Sequence, residues 1–189
     1  MIRTQALRRI CIISCFLGLS CAGYNIRELD DSFANKKFRI LSETFSCGEH
    51  GMFGGKFEAI KVISSSEIIF QYRASVSTHS AIYLSGSDRP VQIKLDETIY
   101  LPAQQDFNNE YSSSWFTEFA SFRLVLKDAK PAVLYPDDKM LIKSISEAKS
   151  FQLKFTGKKG YVNCTLSLEN INNFNRFYKE EVLGEKPLQ

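Results

Sequence analysis

The chain has 189 residues, of which 44% are apolar and 24% are charged, proportions typical of one folded domain of ordinary size. This composition excludes a disordered chain, a collagen-like repeat and a polytopic membrane protein. The formal charge is +3, and the basic excess lies in the first 20 residues, where Arg3, Arg8 and Arg9 are the charged side chains. Downstream, basic and acidic side chains balance, which argues against a nucleic-acid-binding protein.

Residues 1–21 are predicted to form an export signal. The three arginines precede an uncharged, mostly apolar run over residues 10–19, and small residues follow this run. The apolar run is about half the length that a membrane-spanning helix needs. The pattern therefore favours an export signal over a permanent transmembrane anchor.

The end of this signal offers two processing routes. Residues 17–21, Leu-Gly-Leu-Ser-Cys, resemble the lipobox of bacterial lipoproteins, in which Cys21 would become the lipid-bearing first residue. The match departs from the preferred pattern at Gly18, where leucine is usual. The alternative is an ordinary signal-peptidase cut after Ala22, which would give a soluble periplasmic or secreted protein. We favour lipidation, and Ala22 next to the lipid would, by the same resemblance, direct the protein to the periplasmic face of an outer membrane.

Two cysteines remain once the leader and the lipid site are set aside. Cys47 and Cys164 are an even pair in a chain predicted to be exported, and such a pair predicts a disulfide. In the chain-entropy model a bridge over so long a loop contributes about 4–5 kcal/mol. The alternative is two separate buried thiols.

Residues 22–36 are polar and of mixed charge, and they predict a tether in front of a β-rich globular domain over residues 37–184. Alternation of apolar and polar residues predicts strands from residue 37 onward and a hairpin from 56–63 and 68–76. A second hairpin is predicted from 81–84 and 91–95. Residues 102–114 are polar and predict a long loop.

The segment 115–126 fits either a helix or a strand, and we favour a strand from about residue 119. Residues 151–155 and 162–168 predict a hairpin around the turn at 156–160. Helical spacing from Ile171 to Val182, with Ser167 as N-cap, predicts a terminal helix, and residues 185–189 form a tail. The predicted fold is mainly β, an antiparallel β-sandwich or small barrel with a C-terminal α-helix.

The sequence contains no convincing catalytic or metal-binding motif. Gly-x-Ser-x-Gly is absent. The Cys47-x-x-His50 spacing lacks the second pair of ligands that a zinc site needs. We therefore predict no catalytic residue, no metal and no cofactor.

Four aromatic residues lie among asparagine, glutamine and serine between residues 102 and 116: Phe107, Tyr111, Trp115 and Phe116. Aromatic anchors among adaptable polar side chains are typical of recognition loops. These four residues are the predicted partner-binding site. The alternative is that Trp115 and Phe116 begin a core element.

Taken together, the sequence predicts a lipid-anchored protein of the bacterial cell envelope whose domain binds a protein partner without catalysis, as an inhibitor, immunity, exclusion or assembly factor. The alternative is a soluble periplasmic or secreted hydrolase whose site forms only in the fold. For that alternative, His50 or His79 should lie in a cleft beside a serine, cysteine or carboxylate. A purely structural envelope component is a third possibility.

Overall fold

The structure is a computed structural model and describes residues 23–103, 105–112, 114–127 and 138–185. The predicted export signal, the lipid site Cys21 and most of the predicted tail lie outside the described residues. Among the described residues, no helix is long and apolar enough to cross a membrane.

The fold is mainly β, with 55% of the described residues in strands, and consists of an antiparallel sheet curled into a half-barrel with a C-terminal helix. The predicted fold class is therefore confirmed. The elements in chain order are β1 (Ile26–Asp31), β2 (Lys36–Cys47), β3 (Phe53–Ile63), β4 (Ile68–Thr78), β5 (Val91–Leu95), β6 (Thr98–Ala103), β7 (Asp106–Ser112), β8 (Trp115–Phe122), β9 (Leu124–Lys127), α1 (Met140–Glu147), β10 (Phe151–Gly157), β11 (Gly160–Thr165) and α2 (Leu168–Phe177).

The strand order is β7-β8-β4-β3-β2-β11-β10-β5-β6-β9, and β1 pairs with β2 beside this path. We call the strands from β7 to β2, together with β1, the first half-sheet, and those from β11 to β9 the second half-sheet. The two halves meet where Cys47 of β2 lies opposite Cys164 of β11. These cysteines form a disulfide with a Cα–Cα distance of 4.1 Å. The predicted disulfide is thus confirmed.

The inner face of the curled sheet forms the core together with α1 and α2. Phe57 of β3 is fully buried at its centre. Its ring lies 6.1 Å from Tyr72 in the first half-sheet, 5.2 Å from Phe151 in the second, and 5.7 Å from Phe174 of α2. Burial of a side chain of this size contributes about 1.5–3 kcal/mol. Phe57 therefore joins both half-sheets to the terminal helix.

Helix α2 begins at the predicted N-cap. The Ser167 hydroxyl accepts a hydrogen bond from the Asn170 backbone N–H, and the Asn170 side chain accepts one from the Ser167 N–H, which together make a capping box. The helix continues as a wider, π-helical turn over Tyr178–Leu183. The predicted terminal helix and its cap are confirmed.

The segment predicted as a tether contributes a strand instead. β1 pairs with β2 so that Asp30 faces Lys37 and Asp31 faces Lys36, and opposite charges across neighbouring strands are stabilising. Just before β1, the Tyr24 hydroxyl donates to Glu180 at 2.8 Å. Because the side chains of β1 are mostly exposed, the segment lacks the apolar alternation by which strands are recognised.

Three further predictions about local structure need correction. Residues 81–84 form a loop rather than a strand, and β5 pairs with β10 and β6. The predicted loop over 102–114 contains the whole of β7, and β8 starts at Trp115, earlier than expected. In addition, residues 140–147, for which the sequence predicted no element, form a second helix, α1, in which Leu141, Ile142 and Ile145 fall on one helical face and are buried.

Candidate functional site

The hairpin of β7 and β8 carries the aromatic residues predicted to bind a partner. Tyr111 lies opposite Phe116 in the register, and their ring centroids are 4.7 Å apart. Phe107 lies opposite the buried Ala120, four residues before Tyr111 and so on the same face. We call Phe107, Tyr111 and Phe116 the aromatic strip. Tyr111 is 67% exposed and Phe107 is 38% exposed, so the strip offers apolar surface to a partner.

Trp115 does not belong to this strip. Its neighbour Phe116 faces inward, so Trp115 lies on the opposite face of β8. There its ring lies 4.2 Å from the ring of His79, which also contacts Phe53 at 6.1 Å. The structure thus brings three of the four predicted residues together and places Trp115 in a separate ring cluster.

The two histidines lie in different surroundings. His50 is exposed in a short turn, with a positive φ of 57°. Within the described parts of the chain, neither His50 nor His79 makes a hydrogen bond or an ion pair with a serine, cysteine or carboxylate. The described part of the chain also contains no group of three or more histidine, cysteine, aspartate or glutamate side chains that could hold a metal ion.

The outer face of the first half-sheet supports the hairpin with an ion pair between the buried Glu58 and the partly exposed Arg73. Glu58 is 1% exposed and accepts hydrogen bonds from Arg73 and, at 3.1 Å, from Ser42. The Arg73 guanidinium also lies 5.5 Å from the centre of the Phe119 ring on β8. These contacts fix β8 to β4 and β3, so the hairpin projects from a rigid base.

A second exposed feature, which the sequence did not reveal, is the loop between β4 and β5. Tyr83 has φ +63° and ψ +66°, a left-handed conformation that bulky residues rarely adopt. The carboxylate of Glu118, itself 1% exposed, accepts hydrogen bonds from the Ile82 N–H at 2.7 Å and the Leu84 N–H at 2.9 Å. The buried carboxylate thus fixes the backbone on both sides of Tyr83.

The loop also contacts the turn between β10 and β11. Lys158 N–H donates to the Tyr83 carbonyl at 3.2 Å and Lys159 N–H to the Ile82 carbonyl at 3.1 Å. The Lys159 ammonium lies 4.7 Å from the centre of the Tyr83 ring. Basic residues in this turn are visible in the sequence, but the strained Tyr83 beside them depends on Glu118, which lies more than 30 residues away along the chain.

Beside this turn, the outer face of the second half-sheet forms a depression of about 360 Å³. Its polar lining is made of amides, a hydroxyl and two amines. These belong to Gln92, Lys94, Gln152, Lys154, Asn163 and Thr165. Lys94 is paired with Glu97 at 3.4 Å, and the Lys154 ammonium lies 4.8 Å from the Tyr161 ring.

Comparison with models of known families, with curated proteins and with solved structures finds no match. Functional inference for this chain therefore depends on its own residues.

Proposed function

We propose that the chain is an exported protein of the bacterial cell envelope, anchored by lipid at Cys21, whose β-rich domain binds a protein partner without catalysis. The observation that carries this proposal is the Cys47–Cys164 disulfide, because disulfides persist in oxidising compartments outside the cytosol. The arginine-led apolar leader and its lipobox-like end support the same compartment.

The docked N-terminal segment makes the proposed anchor a short one. Tyr24 is held against the C-terminal helix by its hydrogen bond to Glu180 and by the Arg176 guanidinium, 4.1 Å from the centre of the Tyr24 ring. From Cys21 to Tyr24 a fully extended chain spans about 11 Å. A lipid on Cys21 would therefore hold the domain close to the membrane surface.

Fatty-acid labelling of intact cells tests the anchor. The wild type should take up the label and Cys21→Ser should not, whereas Cys15→Ser, which alters a cysteine lost with the leader, should be labelled like the wild type. An exported wild type without label would contradict lipidation and favour the cut after Ala22. Full-length protein retained in the cytosol, with Cys47 and Cys164 as free thiols, would contradict the proposed compartment.

The aromatic strip is the proposed contact surface for the partner. Phe107 and Tyr111 present exposed ring surface on β7, and aromatic anchors contribute most to protein interfaces. Inhibitor, immunity, exclusion and assembly roles are all compatible with such a surface.

Crosslinking in intact cells, followed by purification of the chain, tests this surface. Tyr111→Ala should abolish capture of the partner. Tyr161→Ala provides a matched control, because Tyr161 is a strand tyrosine that is 64% exposed, close to the 67% of Tyr111. Equal capture by both variants would contradict the assignment of the aromatic strip.

A further inference from the structure

The outer edge of β7 is not used in the proposed function. β7 is the terminal strand in the sheet order, and each of its residues, from Asp106 to Ser112, is exposed. Edge strands are commonly protected by charged side chains, above all lysine, by proline or by a bulge. β7 contains neither lysine nor proline, its register with β8 is unbroken, and its charged residues are Asp106 and Glu110. Its backbone is thus suited to pairing with a further strand.

The direction of the backbone groups in β7 follows from the hairpin. Ser112 lies opposite Trp115 across a two-residue connection, and residues that close such a hairpin exchange hydrogen bonds with each other. The even-numbered residues of β7 therefore bond toward β8, and residues 107, 109 and 111 direct their backbone groups to the outer edge. The Asn109 N–H accordingly donates to the Asn108 side chain, at 2.8 Å, rather than to β8.

We propose that this edge pairs with the same edge of a second copy, antiparallel, with the two-fold axis at Asn109. Phe107 then faces Tyr111 of the second copy on the inner face. On the outer face Asp106 faces Ser112 and Asn108 faces Glu110. Residues 107, 109 and 111 form pairs that exchange about six backbone hydrogen bonds in total. For this the Asn109 N–H exchanges its Asn108 side-chain acceptor for a backbone carbonyl of the second copy. Such an interface is self-complementary, as a two-fold dimer requires.

The charges of β7 select this register. A shift by two residues in one direction places Asp106 opposite Glu110, and a shift in the other direction places Glu110 opposite its own copy. Like charges directly opposite each other are destabilising. A shift by one residue would pair the inner face with the outer face. Among the registers that pair at least five residues of β7, the one centred on Asn109 alone keeps the faces matched, pairs the aromatic residues and has no carboxylates directly opposite.

The dimer would also extend the proposed partner-binding surface. Phe107, Tyr111 and Phe116 lie on the inner face of each hairpin. Across the two-fold axis the two aromatic strips would become one continuous surface. The pairing itself requires neither the lipid anchor nor a different partner protein, so it is tested independently of the proposed function.

Charge exchange at Asn109 tests the axis directly, because only a residue on a two-fold axis faces its own copy. Two differently tagged copies of the full chain are coexpressed, solubilised in detergent and purified through one tag, and the second tag is quantified. Wild-type copies should co-purify. Asn109→Lys with itself and Asn109→Glu with itself should each lose co-purification at least tenfold, and the Lys variant mixed with the Glu variant should recover it.

Asn172→Lys is the matched control, since Asn172 is exposed on α2, which packs against α1 and β2. It should co-purify like the wild type. Unchanged circular dichroism of the Asn109 variants would establish that they fold. The dimer is overturned if wild-type copies do not co-purify, or if the Lys–Glu mixture recovers no more than the Lys–Lys pair. The second result would also be expected if the edge received a strand of a different protein.

Discussion

Cys47 and Cys164 are disulfide-bonded, and they are also the residues through which β2 and β11 come into register. The bridge therefore lies at the junction of the two half-sheets. Backbone support at this junction comes from the Gly48 N–H, which donates to the Asn163 carbonyl at 2.8 Å. Phe57 and α2 connect the same halves through the core.

Removal of this disulfide should strongly destabilise the domain. The cysteines are 117 residues apart, and loss of a native bridge over a long loop costs about 2–5 kcal/mol. Urea unfolding of Cys47→Ala/Cys164→Ala should show this decrease in the free energy of unfolding. Reductant should lower the urea concentration at the unfolding midpoint of the wild type and should not change that of the double variant. Equal midpoints for the oxidised and reduced wild type would contradict a stabilising bridge.

Glu118→Ala should loosen the loop that presents Tyr83. The substitution leaves the buried N–H groups of Ile82 and Leu84 without their acceptor, and the expected cost is about 2–4 kcal/mol in the free energy of unfolding. Hydrogen exchange at these two amides should accelerate more than exchange elsewhere. Glu97→Ala, at a side chain 96% exposed, should change stability by less than about 0.5 kcal/mol. If the Ile82 and Leu84 amides of Glu118→Ala stay protected from hydrogen exchange, this would contradict the role assigned to the carboxylate.

Gly157→Ala should disturb the contact between the same loop and the β10–β11 turn. A Cβ atom at residue 157 would lie 2.1 Å from the Ile82 carbonyl oxygen, so the backbone must move, at a cost of about 1–3 kcal/mol. Gly54→Ala is the control, because a Cβ there meets nothing within 4 Å. Thermal unfolding should separate the two variants clearly. Similar melting temperatures would show that the loop can shift without cost.

The sequence predicted those strands in which apolar and polar residues alternate, because the alternation shows which side chains are buried. Phe151, Leu153 and Phe155 alternate with polar residues and are all buried, as are Val162 and Cys164 on the return strand. The same alternation placed Cys164 on an apolar face. The hairpin of β3 and β4 was predictable for the same reason.

The parts that were missed depend on partners far away in the chain. β1 is recognisable by its acidic residues only once they are set opposite the basic start of β2. β7 is exposed throughout, so it lacks an alternating pattern, and its polar residues resemble those of a loop. The left-handed Tyr83 depends on Glu118 in another strand. Of the four predicted binding residues, Trp115 lies on the opposite face of β8 from Phe116, and this separation could not be foreseen while the strand was expected to begin later.

Glu43 should make the stability of the domain depend on pH. Burial raises the pKa of Glu43 above its ordinary value of 4.5, although hydrogen bonds from Asn173 and Asn170 act in the opposite direction. Between pH 4.5 and the higher pKa of the folded state, the folded chain binds more protons at Glu43 than the unfolded chain does. The contribution of Glu43 to stability therefore falls as pH rises through this window.

Comparison with Glu43→Gln isolates this effect, because glutamine does not titrate and the other carboxyl groups are common to both proteins. Urea unfolding at pH 7 and at pH 4.5 should show the wild type gaining stability relative to the variant on acidification. A difference that is constant with pH, or that changes in the opposite direction, would show that the pKa of Glu43 is not raised in the folded chain.

Glu110→Gln should strengthen the proposed dimer. Glu110 faces Asn108 of the second copy but lies diagonally across from its Asp106 and its Glu110, and diagonal strand neighbours are still within reach of long side chains. Removal of these two symmetric carboxylates should tighten dimerisation about threefold to tenfold.

Added salt should strengthen the wild-type dimer by screening the same repulsion and should affect the Glu110→Gln dimer less. Sedimentation of purified protein in detergent over a range of concentrations measures both effects. Glu97→Gln removes an equivalent charge from the β5–β6 turn and should leave the dimer unchanged. Equal salt dependence in the wild type and in Glu110→Gln would contradict the pairing of the two β7 edges, because the register centred on Asn109 brings these carboxylates within diagonal reach of each other.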